Sequence, residues 1–192
     1  GFDQWFEAQS AEFTQVGCCF ARVSAVDRGA YLIRNNSAEV PAELAGKLSY
    51  QIENPVELPC VGDWVSAQYY DNGTAAIIHR VLPRKTFLRR KAAGVNVDFQ
   101  MIAANIDTAF IVQSCHFDFN PHRLTRYLVM AADGHVESVV ILTKTDLITR
   151  DELDQKLAII GSVTKASVLA FSTITGSGFG EFYISDKTQF CD

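Results

Sequence analysis

The stretch "VVILTKTDL", Val139 to Leu147, runs four apolar residues directly into Thr143-Lys144-Thr145-Asp146. An unbroken apolar run of this kind reads as a strand buried on both faces, and such strands belong to parallel sheets. In those sheets the functional loops lie at the carboxyl ends of strands. The segment therefore predicts a polar loop at the rim of an α/β sheet, facing something that a lysine and a carboxylate can recognise.

The flanking sequence agrees. "IDTAFIVQS" (106–114) reads as another buried strand. Asn120-Pro121 then starts a helix, with Asn as N-cap and Pro in the first turn. Leu124, Tyr127, Leu128 and Ala131 follow at helical spacing, and Gly134 stops it. "VESVVIL" is the next strand. Thr149 with Glu152 forms a capping box, Leu153, Leu157 and Ile160 line the next helix, and Gly161 is its expected stop. "ASVLAFS" is a third strand, which places Ser172-Thr173 at the same rim as Thr143 to Asp146. Alternating strands and helices of this type predict a parallel sheet with helices on its faces.

Residues 18–80 have a different period. "CCFARVSAV", "GAYLIRN", "KLSYQI", "GDWVSAQYY" and "TAAIIHRVL" read as five short strands, separated by Gly, Asn, Asp and Pro clusters. Five short strands suit a small barrel of the oligonucleotide/oligosaccharide-binding type, the OB-fold. The expected division is 1–88 for the N-terminal segment and barrel and 89–192 for the α/β part.

Bulk properties exclude several classes. Nearly half of the 192 residues are apolar and a fifth are charged, the profile of a globular protein. No apolar run reaches the roughly 20 residues of a membrane-spanning helix, and the N-terminus does not read as a secretory signal. Cys18, Cys19, Cys60, Cys115 and Cys191 form no CxxC pair, which argues against a zinc site and for a reduced, cytoplasmic protein. A net charge of −5 argues against wholesale wrapping by nucleic acid. "HRVLPRKTFLRRK" (79–91) is the exception, with six Lys/Arg and no acid. Arg84, Lys85, Arg89, Arg90 and Lys91 are candidate phosphate contacts. Tyr69, Tyr70 or Trp64 are candidate stacking partners for bases, although Trp64 is expected in the core.

The rim loop has a specific chemical use. An aspartate after a strand commonly caps a helix, but Thr149 and Glu152 already cap the next one. An ionised carboxylate accepts two parallel N–H bonds, and guanine presents adjacent N1–H and N2–H donors. Adenine puts an acceptor at N1. Charge-assisted bonds of about 1.5–3 kcal/mol each make discrimination of a hundredfold or more possible. The lysine stem can lie over the base, and a backbone N–H near Ser172-Thr173 can read O6.

"TKTD" resembles the guanine-reading Asn-Lys-x-Asp motif of GTP-binding proteins, with Thr143 at the Asn position. "FSTITGSG" (171–178) resembles the companion Ser-Ala-x loop, with Thr173 in place of Ala. Together with "PCVGDWV", "VLPRKTFLRRK", "QMIAANIDTAFIV" and "DFNPHRLTRYLVMA", these segments resemble, in order, the small ribosomal subunit biogenesis GTPases (RsgA). The resemblance implies an OB barrel, then a circularly permuted P-loop GTPase domain whose base-reading loops precede its phosphate loop, and a zinc-binding C-terminal domain. It implies GTP/GDP with Mg²⁺ as ligands and the small (30S) ribosomal subunit with its 16S rRNA as partner. It also implies hydrolysis of GTP to GDP and phosphate in late subunit maturation. Thr143, Lys144, Thr145, Asp146, Ser172 and Thr173 are the implied guanine site. A monomer without membrane association is expected.

No Gly-x-x-x-x-Gly-Lys-Ser/Thr loop occurs in the 192 residues. Gly46-Lys47 is followed by Leu48, and "GSGFGE" (176–181) carries no lysine and reads as a connector. No catalytic or metal-binding residue is expected in this chain, and "DKTQFCD" (186–192) resembles the strand that leads into the phosphate loop. The competing expectation is an RNA-binding module whose α/β half is only a scaffold. Cys115-His116 and the scattered His79, His122 and His135 have no visible third partner. Asp151 and Glu152 suit a helix's first turn without catalysis.

Overall fold

The computed structural model describes residues 1–10, 16–91 and 99–180. Contacts divide the chain into two compact units, 1–106 and 107–192.

The first unit holds a closed five-stranded barrel. Its strands are β1 (Cys19–Asp27), β2 (Ala30–Arg34), β3 (Glu39–Leu44), β4 (Trp64–Tyr70) and β5 (Ala75–Val81), paired in the order β1-β2-β3-β5-β4 and closed by β1 against β4. Every strand gives two alternate residues to the core, as a period of two requires. They are Ala21 and Val23, Tyr31 and Ile33, Val40 and Ala42, Val65 and Ala67, Ala76 and Ile78.

The third strand is not the one expected. "KLSYQI" lies in a short helix, α2 (Gly46–Gln51), with Leu48 packed on the barrel core. Leu48 and Ile52 are four residues apart, a helical spacing that the β-like composition disguised. The true strand, "EVPAEL", carries a proline that weakens a strand reading. Pro41 is tolerated because β3 pairs with β2 there, and its parallel pairing with β5 starts only at Ala42.

Trp64 is also corrected. It lies half-buried outside the barrel core, edge-on to Phe2 at 4.8 Å and near Phe6 of α1 (Gln4–Ser10). A hairpin of β6 (Phe87–Lys91) and β7 (Phe99–Ala104) follows the barrel. Asn105 clasps it there, donating to Gly62 O and accepting from Lys85 N. Gly62 has φ +93°, and a Cβ at that position would lie 2.0 Å from Ala104 O.

The second unit contains β8 (Thr108–Ser114), β9 (Glu137–Thr143) and β10 (Ser167–Ala170), a parallel sheet in the order β10-β9-β8. Helices α3 (Pro121–Asp133) and α4 (Arg150–Val163) form the two crossovers. Asn120 caps α3 through Arg123 N, and both halves of the Thr149/Glu152 capping box are formed. Ile111, Leu124, Val140, Leu142 and Ile160 make the core on one face, joined by Leu128, Leu153 and Leu157. Tyr127 is exposed instead. Gly161 does not stop α4, which continues through it until Thr164 N closes on Ile160 O.

Candidate guanine-binding site

Parallel pairing brings the ends of the three strands to one rim. Ser114 is in register with Thr143, and Ala170 with Leu142. Two backbone bonds hold the exits of the strands together, Cys115 N to Thr143 O and Phe171 N to Leu142 O, both 2.9 Å.

The chain turns sharply after β9. Lys144 adopts φ 60°, ψ 40°, the left-handed region that costs a side-chain-bearing residue about 1 kcal/mol. Thr145–Leu147 then form one 3-10 turn, closed by Leu147 N on Lys144 O. That turn carries the Asp146 side chain toward the next loop. The Ser172 hydroxyl, fully buried, donates to Asp146 Oδ1 at 2.5 Å. The same hydroxyl oxygen accepts from Ile174 N (3.1 Å) and Thr175 N (3.2 Å). Ser172 N and O close the loop on Ser177 O and Gly176 N.

Two groups of this loop pair stay open to a ligand among the described residues. Asp146 is exposed and has no further hydrogen bond among the described residues, so it retains acceptor capacity on both oxygens. Of the amides from Ser172 to Gly176, only that of Thr173 has no partner among the described residues. A carboxylate and one amide side by side complement a donor pair next to an acceptor. That is the pattern of guanine N1–H, N2–H and O6. Lys144 is exposed beside them. Thr143 is not directed at a ligand. Its hydroxyl donates to Gln113 O at 3.3 Å, which ties β9 to β8.

Among proteins of known kind, the RsgA GTPase family model matches residues 81–186, more than half of the chain. The chain belongs to the RsgA GTPase family. It is 38% identical over 169 residues to the small ribosomal subunit biogenesis GTPase RsgA of Xylella fastidiosa (strain M12), covering 82% of this chain and 48% of that protein. It is 36% identical over 166 residues to RsgA 2 of Lactiplantibacillus plantarum, covering 86% and 46%. The chain thus spans about half the length of these curated relatives. In fold it resembles YjeQ from Thermotoga maritima, with a TM-score of 0.66 at 20% identity over 88% of this chain and 56% of that one. YloQ, a circularly permuted GTPase, gives a TM-score of 0.59 at 21% identity, covering 81% and 52%. An OB-type barrel followed by part of a circularly permuted GTPase domain is therefore the fold. The family match begins at residue 81, so it takes in the β6–β7 hairpin that contacts group with the barrel.

The basic stripe divides in two. Arg84 is withdrawn from the expected phosphate-contacting set. It pairs with the fully buried Asp63 through Nε (2.8 Å) and Nη2 (2.7 Å), and donates to Val56 O and Leu58 O. Burial opposes the Arg84 charge, but the Asp63 carboxylate prevails and holds the guanidinium above its ordinary range. Lys85 is exposed and meets Asp3 at 3.2 Å. Arg89 lies over Phe99 at 4.5 Å, Arg90 donates twice to Gln100, and Arg90 and Lys91 are exposed. Of the expected stacking residues, Tyr70 is exposed and Tyr69 is packed against the barrel core.

Cys115 is buried in the core and its thiol is pushed up by burial, while the His116 ring lies against Phe117. They form no pair. Among the described residues, no cluster of His, Cys, Asp or Glu could hold Mg²⁺ or Zn²⁺. No helix among them is long and apolar enough to cross a membrane. "DKTQFCD" lies outside the described residues.

One site residue escaped the sequence reading. Gly178 has φ +83°, and a Cβ there would lie 2.1 Å from Ala170 O and 3.0 Å from Phe171. It lets the loop fold back on the end of β10 and so seats Ser172. Gly178 closes "FSTITGSG", which resembles the companion loop, and also lies in "GSGFGE", which reads as a connector.

Proposed function

We propose that this chain supplies guanine recognition to a ribosome-associated GTPase that acts in late maturation of the small ribosomal subunit. The observation that carries the reading is the Asp146–Ser172 bond, which fixes an open carboxylate beside one open amide. Asp146 accepts from guanine N1–H and N2–H, the Thr173 amide donates to O6, and the Lys144 stem covers the base. Thr143, Thr145 and Ser172 support these three. The names of the curated relatives support a role in small-subunit biogenesis. The 192 residues contain no phosphate-loop motif, so γ-phosphate and Mg²⁺ must be held by other groups, and these residues alone should not hydrolyse GTP.

The test is Asp146→Asn in the full-length protein. Asparagine offers one acceptor and one donor where guanine presents two donors, whereas xanthine presents a carbonyl at position 2. GTP affinity should fall at least about tenfold and XTP affinity should rise. Unchanged affinities for both would overturn the assignment.

The exposed Arg90 and Lys91, with Arg89 stacked on Phe99, favour the β6–β7 hairpin as a contact to 16S rRNA. Binding of the full-length protein to 30S subunits should weaken steeply with salt, and less so once Arg90 and Lys91 are replaced by Ala. A salt response identical in wild type and variant would refute it.

A further inference from the structure

Guanine carries one more acceptor on its edge, N7, on the far side of O6 from N1. We infer that Thr143 leaves this atom unread, so that the site recognises guanine through N1, N2 and O6 only. The inference rests on the guanine reading above and extends it to the group that the site ignores.

Reading N7 requires a donor, and the side chain at position 143 spends its own elsewhere. The Thr143 proton goes to Gln113 O. The Gln113 carboxamide, 2% exposed, is used at both ends on the Asn120 backbone, donating to its O and accepting from its N, each at 3.2 Å. In the second loop the amides of Ser172, Ile174, Thr175 and Gly176 close the loop on itself. The Thr173 amide that remains serves one acceptor, and with N1 and N2 on Asp146 that acceptor is O6. An asparagine at position 143 would instead present a carboxamide with two N–H donors. Thr143 has one hydroxyl, already bound, and a methyl group.

Equilibrium titration of the full-length protein with GDP, 7-deaza-GDP and IDP separates the possibilities. Removing an acceptor that a protein reads costs about three- to tenfold in affinity. The wild type should bind 7-deaza-GDP within about twofold of GDP, and IDP, which lacks the 2-amino group, at least about tenfold more weakly. A threefold or greater loss with 7-deaza-GDP, with IDP still rejected, would overturn the inference and leave the guanine reading intact. It would mean that the Lys144 ammonium or a rim hydroxyl reaches N7. Equal binding of GDP and IDP would overturn the guanine reading and this inference with it. T143N should acquire a preference of about fivefold for GDP over 7-deaza-GDP. A ratio that stays at one would remove position 143 as the determinant.

Discussion

The Ser172 hydroxyl donates to Asp146 Oδ1 across two loops that are 26 residues apart in sequence. A buried serine thus aims an exposed carboxylate. Ser172→Ala would free the Asp146 side chain to rotate and would leave the amides of Ile174 and Thr175 without their acceptor. GDP affinity of the full-length protein should drop about tenfold or more. Preference for GDP over XDP should shrink with it, because aim is lost while charge is kept. Fluorescent-nucleotide competition measures both.

Gly178→Ala strikes the same site from behind. The added methyl meets backbone rather than a flexible side chain, at a φ that disfavours any L residue. The loop must move off Ala170 O and take Ser172 with it. Nucleotide affinity should fall to about the level of Ser172→Ala, while far-UV circular dichroism and subunit binding stay close to wild type. A variant with wild-type GDP affinity would show that the loop has room to adapt.

Arg84→Leu tests the assignment of Arg84 to structure rather than to RNA. It strips the fully buried Asp63 carboxylate of its counter-charge and leaves it with the Cys60 amide bond. Breaking such a pair costs about 3–5 kcal/mol, which urea denaturation would detect. A soluble, equally stable variant with weakened subunit binding would return Arg84 to the RNA-contacting set.

Glu152 gives the α4 cap a pH dependence. Hydrogen bonds from the Thr149 backbone N–H first, and then from its hydroxyl, hold the Glu152 carboxyl below its ordinary value. A carboxyl depressed on folding stabilises above its unfolded pKa and loses that effect as pH falls through the folded value. The melting temperature of the wild type should therefore exceed that of Glu152→Gln above pH about 5. The two should converge as the solution is acidified through the lowered value of the Glu152 carboxyl. A constant difference across that range would remove the ionised cap.

Cysteine reactivity checks the barrel independently. Burial first, and then the negative charge of Asp63, push the Cys60 thiol up to about 12, whereas Cys19 is exposed. Iodoacetamide at neutral pH should label Cys19 in the native protein and reach Cys60 only after denaturation. Equal labelling would mean that the Cys60–Asp63 corner opens.

Much of the second unit was legible because its signals are local and redundant. Asn120, Pro121, Thr149 and Glu152 mark helix starts by their own hydrogen bonds, and apolar runs mark strands buried on both sides. The pairing of the TKTD loop with Ser172 followed from parallel topology alone. The barrel was less legible where composition and spacing disagreed, as at Leu48 and Pro41. Arg84 could not be told from its neighbours, because a charge looks the same in sequence whether it meets water or Asp63. The role of Gly178 belongs to backbone geometry, which side-chain identity does not encode.

The left-handed turn at Lys144 sets a limit on evolution at this site. Glycine would occupy φ 60° without penalty and would make the turn easier to form. It would also remove the aliphatic stem that we propose covers the purine. On the proposed reading, lysine at this position accepts a less comfortable backbone in exchange for a held base, so backbone stability and nucleotide retention pull this single position in opposite directions.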